Sequence, residues 1–282
     1  MRTIAEIKKD MEFNKSLSVL VETLKTIAVS QYRALEKKTY VFEEFNEIME
    51  NFFDFLDLSL IKHAFVAPTK KAQAIIAITS DAGFLGGLNL KIIEASIREL
   101  RKMPGKLIII GERGKMYVRG TDVSYVAFPG IIDEERFAQA QQLRDYIVNN
   151  VVSDTFHFVK IIYPRPVSFT VQRVEVINLF PYVPAKSQLS KEGLQYDVII
   201  ESRLEDMVEY LLYLWAGQRL SEIFGLSRLA EFSARYVHLE ESTQKLKDID
   251  EKVKLQYFRV RHELVDRTMR ELFAGRALYG KK

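Results

Sequence analysis

The chain has 282 residues, enough to bury a sizeable core as one domain or two, and its 48% hydrophobic and 28% charged residues are the balance of an ordinary folded protein. A formal net charge of +3 gives no argument for a nucleic-acid partner, and the absence of cysteine excludes a disulfide framework, thiol catalysis and zinc sites built on thiolates. No stretch reaches the ~18 apolar residues of a membrane span, and the start, "MRTIAEIKKDMEFNKS", scatters charge where a signal peptide needs an apolar segment; a cytosolic protein with no direct membrane insertion is expected.

From Met1 to Ala67 the sequence has neither Gly nor Pro, is rich in helix formers and is ended by Pro68. Leu17, Leu20, Leu24 and Ile27 fall at alternating three- and four-residue steps, which predicts one narrow apolar stripe on a helix. "AQAIIAI" (72–78) then reads as a strand and runs straight into "TSDAGFLGGLN" (79–89), with Asp81, Gly83, Gly86, Gly87 and Asn89. A strand followed by a Gly-rich turn opens many phosphate sites. The spacing here is G-x-x-G-G, which is neither the dinucleotide fingerprint nor a P-loop. "GERGK" (111–115) is followed by Met116 and lacks the hydroxyl that would hold magnesium. Both stretches read as tight strand-to-helix turns that need positive φ at glycine.

Further strands are predicted at 106–111, 123–128, 156–163 and 170–180, and amphipathic helices at 88–102 and 133–152. Strands alternating with helices imply a mainly parallel sheet with helices packed on it. "PYVPAKSQLSKEG" (181–193) reads as a polar link back to helix. From Leu226 to Ala274 Gly and Pro are again missing. Alternating steps pass through Leu229, Phe232, Tyr236, Leu239, Thr243, Leu246, Asp250, Val253, Tyr257, Val260 and Leu264, a 3.5-residue period that predicts a coiled-coil seam. The expected fold is α/β: a long antiparallel coiled coil of the terminal helices (1–67 and 194–282) with a Rossmann-like α/β domain (68–193) inserted between them. The four histidines have no metal spacing, and the acidic residues of "IESRLEDMVEY" read as a solvated helix face, so no catalytic residue, metal or cofactor is expected.

Three segments carry a family resemblance. "LKTIAVSQYRALE" (24–36) is similar to M-K-M-V-A-A-S-K-L-R-R-A-Q, and "ITSDAGFLGGLN" (78–89) to I-T-S-D-R-G-L-C-G-G-L-N. "AEFSARYVHLEESTQKLKD" (230–248) and "RVRHELVDRTMRELFAG" (259–275) are similar to S-E-H-A-A-R-M-x-A-M-x-x-A-T-x-N-A and R-x-A-I-T-x-E-I-x-E-I-V-x-G. Together they resemble the gamma subunit of rotary ATP synthases, and length and element order agree from end to end. The resemblance implies a non-catalytic shaft on the cytoplasmic face of the cell membrane. Its implied partners are the alpha and beta subunits of the catalytic hexamer, an epsilon-type subunit and the membrane c-ring. It also implies that the Gly-rich turn shapes the α/β domain without holding phosphate. Partner-binding positions carried over are Lys25, Arg33, Arg235, Arg261 and His262, with Leu272, Phe273 and Leu278 as an apolar tip. The chain departs from the family at Glu22, Gln31, Ala34, Ala82, Leu85 and His262, which suggests a divergent member. Two other readings of the residues are an α/β enzyme that binds a small molecule and dimerises through its terminal helices, and a coiled-coil adaptor.

Overall fold

The computed structural model describes residues 2–39, 48, 63–66, 72–183 and 203–279. Its elements, in chain order, are α1 (Ile4–Thr39), β1 (Gln73–Ile78), α2 (Leu88–Lys102), β2 (Gly105–Ile110), α3 (Glu112–Val118), β3 (Tyr125–Phe128), α4 (Arg136–Val152), β4 (Phe158–Pro166), β5 (Gln172–Phe180) and α5 (Leu204–Tyr279). The predicted link at 181–193 lies outside the described residues apart from 181–183. Two compact units emerge, one of Val29–Arg235 and one that joins Met1–Ala28 to Tyr236–Lys282.

The first unit is built on one five-stranded sheet in the order β3-β2-β1-β4-β5. β1 runs parallel to β2 and β4, and β2 to β3, while β5 returns antiparallel to β4 along one edge. The alternation of side chains along a strand divides the core into two layers. Ala74, Ile76, Ile78, Ile108, Ile110, Val159 and Ile161 face α4 and the first turns of α5, where Leu143, Ile147, Leu212, Ala216 and Phe224 meet them. Ile75, Ala77, Leu107, Ile109 and Ile162 face the other way, onto Leu88, Ile92 and Ile93 of α2. Burial on both faces is why β1 reads as an unbroken apolar run and not as an alternating one.

α5 is 76 residues long and passes through Gly217 and Gly225, both inside the terminal helix expected over 194–282 and both ahead of its Gly-free run. Neither glycine breaks it, because each makes room for an arginine of α4. A Cβ at Gly217 would lie 2.9 Å from Arg144 Nη1, and one at Gly225 would lie 3.0 Å from Arg136 Nη1. Arg144 also stacks on the Tyr213 ring, 3.7 Å from its centroid, and shares Asp145 with the Tyr213 hydroxyl.

In the second unit Val21 of α1 packs with Leu239 and Leu246 of α5, flanked by Leu17 and Leu24. The apolar stripe on α1 differs from the predicted one: Leu20 is 54% exposed and Ile27 47%, while Val21 and Ala28 are buried. At 100° per residue, Leu20 and Ile27 sit about 60–80° to one side of Leu17, and Val21 and Ala28 lie within about 40° on the other side. Lys25 is on that second flank, bonded to Glu240 of α5 at 2.8 Å, and the contact is centred there. On α5 burial follows the predicted seam as far as Leu246, weakens beyond it and is lost at Leu264. Leu239 and Leu246 are buried, Thr243, Asp250, Val253, Tyr257 and Val260 are half-buried, and Leu264 is exposed.

Candidate partner-binding surfaces and the glycine-rich turn

The turn after β1 is held by its own side chains. The Ser80 backbone N–H donates to Asn89 Oδ1 (3.1 Å), and Asn89 Nδ2 donates to Ser80 Oγ (2.9 Å), which in turn donates to the Ala82 carbonyl (2.8 Å). Thr79 Oγ1 donates to the Ile110 carbonyl (2.6 Å) and accepts from Gly114 N–H (3.0 Å). Asp81 Oδ1 accepts the Glu112 N–H (2.8 Å) at the start of α3. Gly86 and Gly87 take φ values of 56° and 87°, left-handed conformations that glycine adopts without the clash of a Cβ, and Gly87 leads into α2 with no side-chain cap. Gly83 does not, and Phe84 beside it does, with φ 65°. Lys115, the lysine of "GERGK", is paired with Glu112 at 2.5 Å. The groups that would cradle a phosphate are therefore tying β1 to α2 and α3.

A narrow cleft with little free space opens beside this turn, lined by Thr79, Ser80, Asp81 and Asn89 on one side and by Ser227, Arg228 and Glu231 of α5 on the other. Arg228 reaches Asp133 through two bonds, from Nε to Oδ1 (2.9 Å) and from Nη2 to Oδ2 (3.2 Å). Glu231 accepts from Arg228 Nη1 and from Arg235 Nη2, both at 2.6 Å. Burial lowers the proton affinity of the Arg228 guanidinium, but the bond to Asp133 and the charge of Glu231 outweigh it and hold the group above its usual range. The i, i+3, i+7 spacing of Arg228, Glu231 and Arg235 was readable as an ion-paired helix face. Nothing local marks that face as buried, and Asp133 lies 95 residues away.

The candidate contact residues are dispersed. Lys25 is bonded to Glu22 and Glu240, both at 2.8 Å, and is held above the usual lysine range, first by the Glu22 bond and then by that to Glu240. Arg235 is turned inward to Glu231. Arg33, Arg261 and His262 are exposed. Leu272 and Phe273 are 64% and 66% exposed, and the Leu278 side chain lies outside the described residues. Leu255, Phe258, Val265 and Met269 are exposed on the same stretch of α5, interleaved with Arg259, Arg261, Arg267 and Arg270. Among the described residues no group of His, Asp and Glu could hold a metal ion, and no helix is long and apolar enough to cross a membrane.

The model of the ATP synthase family matches residues 3–277. The ATP synthase gamma chain of Clostridium beijerinckii is 22% identical over 281 residues, covering 97% of each chain. That of Mycoplasmopsis synoviae is 23% identical over 288 residues and covers 98% of each. That of Desulforudis audaxviator is 27% identical over 219 residues, 73% of this chain and 74% of that one. Among solved structures, a chain of the Euglena gracilis mitochondrial ATP synthase superposes with a TM-score of 0.70 at 17% identity, covering 99% of this chain and 96% of that one. A chain from the central stalk and c-ring of the Tetrahymena thermophila enzyme gives 0.62 at 19% identity, over 79% and 99%. At these identities the superpositions speak for the fold alone.

Proposed function

Because the chain belongs to the gamma family of ATP synthases, matching its model over residues 3–277, we propose that its exposed α5 surface is the working face of a rotor. The protein is the central-stalk subunit of an F-type ATP synthase and is itself non-catalytic, the catalytic sites belonging to the beta subunits. It is a peripheral part of a membrane-bound complex that contains the alpha and beta subunits and the c-ring.

The finer reading is our own. We infer that the terminal segments, 1–67 and 194–282, supply an antiparallel coiled coil through the described parts of α1 and of α5 beyond residue 235, and that 68–193, joined by the first turns of α5, make a Rossmann-like domain inserted between them. The contacts of Val21, Leu239 and Leu246 and the strand order support this. Leu272 and Phe273 would sit in an apolar sleeve of the hexamer, since exposed apolar groups of this size mark a covered surface. Arg33, Arg261 and His262, with Lys25 and Arg235 beside them, would face acidic partner groups, an epsilon-type subunit would bind the α/β domain, and the complex would lie on the cytoplasmic face. Different faces of a turning shaft favour different conformations of three identical catalytic sites, a population shift driven mechanically.

The observation that carries the reading is the family match along nearly the whole chain. Its test is reconstitution with the alpha and beta subunits of the same complex. The isolated chain should have no ATPase activity, and adding it to the subunits should yield an assembled, active complex. ATP hydrolysis by the chain alone, or failure to join the hexamer, would sink the proposal.

A further inference from the structure

We propose that the crevice at the carboxyl ends of β1 and β4 is the grip by which the sheet domain holds the rotor helix, with Arg228 and Glu231 as positioning residues for coupling. This rests on the rotor reading above. The crossover from β1 to β2 carries α2 on one face of the sheet, and the crossover from β3 to β4 carries α4 on the other. β1 and β4 are neighbours, so the crossovers diverge between them, and in open α/β sheets that divergence is where a ligand is received. Here one wall of that crevice is made by Ser227, Arg228 and Glu231 of the chain's own α5, which narrow it from the side facing β1.

The chemistry of the contact fits a grip better than simple adhesion. Glu231 is 5% exposed, and a carboxylate so placed is costly unless fully paired. Its two guanidinium partners satisfy it, and Arg228 passes the tie on to Asp133 in the segment between β3 and α4. Apolar side chains of similar volume would hold a helix to a sheet as well or better, so adhesion alone does not account for the ion pairs. A two-bond guanidinium–carboxylate fork fixes direction as well as distance. The same seam is keyed a second time: Arg136 and Arg144, eight residues apart on α4, fit against Gly225 and Gly217, eight residues apart on α5 and running the opposite way. A shaft that carries torque needs this kind of registry where its helix meets the domain that is being turned.

The test is the ratio of ions pumped to ATP hydrolysed by the complete membrane complex carrying Arg228→Met, Arg228→Lys, Glu231→Gln, or Arg228→Met together with Asp133→Ala. Hydrolysis should continue while Arg228→Met and Glu231→Gln lower the pumping ratio severalfold. Arg228→Lys should recover part of the loss, and the double variant should be no worse than Arg228→Met, because the two side chains act as one unit. An unchanged ratio in assembled complexes overturns the proposal. If a variant fails to assemble, hydrogen exchange of the full-length chain decides: Arg228→Met should speed exchange in segments 80–89 and 131–135 about tenfold, and unchanged exchange there overturns the grip as well. Failure of the rotor reading looks different, since the wild-type chain would then support no coupled pumping.

Discussion

Glu99 carries a carboxylate that is almost wholly buried on α2, bonded to Lys102 at 2.5 Å and to Lys160 at 2.6 Å. Those bonds, Lys102 first and Lys160 second, hold its proton affinity below the usual carboxylate range against the opposing effect of burial. A carboxylate with a depressed folded-state pKa contributes stability that is complete above its unfolded value of about 4.3 and is lost as pH falls through the folded value. Glu99→Gln should therefore destabilise the protein by about 1–3 kcal/mol at pH 7. The gap between variant and wild type should narrow in acid, as urea denaturation at pH 7 and near pH 3 would reveal. An equal gap at both pH values would assign the loss to packing instead of charge.

At the scale of elements, the choice of flank on α1 is open to a paired test. Leu246 is buried against Val21, so Leu246→Asp strands a charge in an apolar contact and should cost a few kcal/mol with a matching fall in thermal midpoint. Leu20→Asp, on the flank that the sequence favoured and the structure exposes, should stay within about 0.5 kcal/mol of wild type. Comparable losses in the two variants would restore Leu20 to the contact. The contrast shows where legibility ends. The period of α5 was plain because seven-residue repetition is a property of one chain segment. The flank of α1 was not, because Leu17 and Leu24 are common to both stripes and the flank is fixed by Val21 meeting Leu239 and Leu246 of a distant segment. The sheet was readable for the first reason, since its buried strands are short apolar runs between turns. Helix across Gly217 and Gly225 was expected within 194–282, but the cause of glycine at those two positions was hidden for the second reason, since the arginines that use the notches lie on another helix.

For the whole molecule, the exposed end of α5 separates folding from function. Arg261 is exposed, so Arg261→Ala should leave the melting of the isolated chain nearly unaltered. In the assembled complex the same change should slow coupled turnover about tenfold, the effect of losing one charge-assisted bond of about 1.5 kcal/mol. Melting of the free chain would place Arg261 in internal packing, and wild-type turnover would show that no partner meets it. Which of the candidate contact residues are exposed was only partly legible. The exposed tip follows from apolar residues continuing along a helix beyond its seam, whereas the inward turn of Arg235 depends on Glu231 one helical turn earlier and on the burial of both.

The pairing of Val21 and Leu24 with Leu239 and Leu246 also governs how the protein is made. Roughly 200 residues separate the two halves of that contact, and at 5–20 residues per second a ribosome takes roughly 10–40 s to supply the second half after the first. Throughout that interval the nascent N-terminal helix presents its apolar stripe to solvent, and near its end the sheet domain gains Leu212, Ala216 and Phe224 of α5 and can close its core first. Holding chaperones have a defined target there. Pulse-labelled chains released after Arg235 should be captured through residues 4–28, and full-length chains should not.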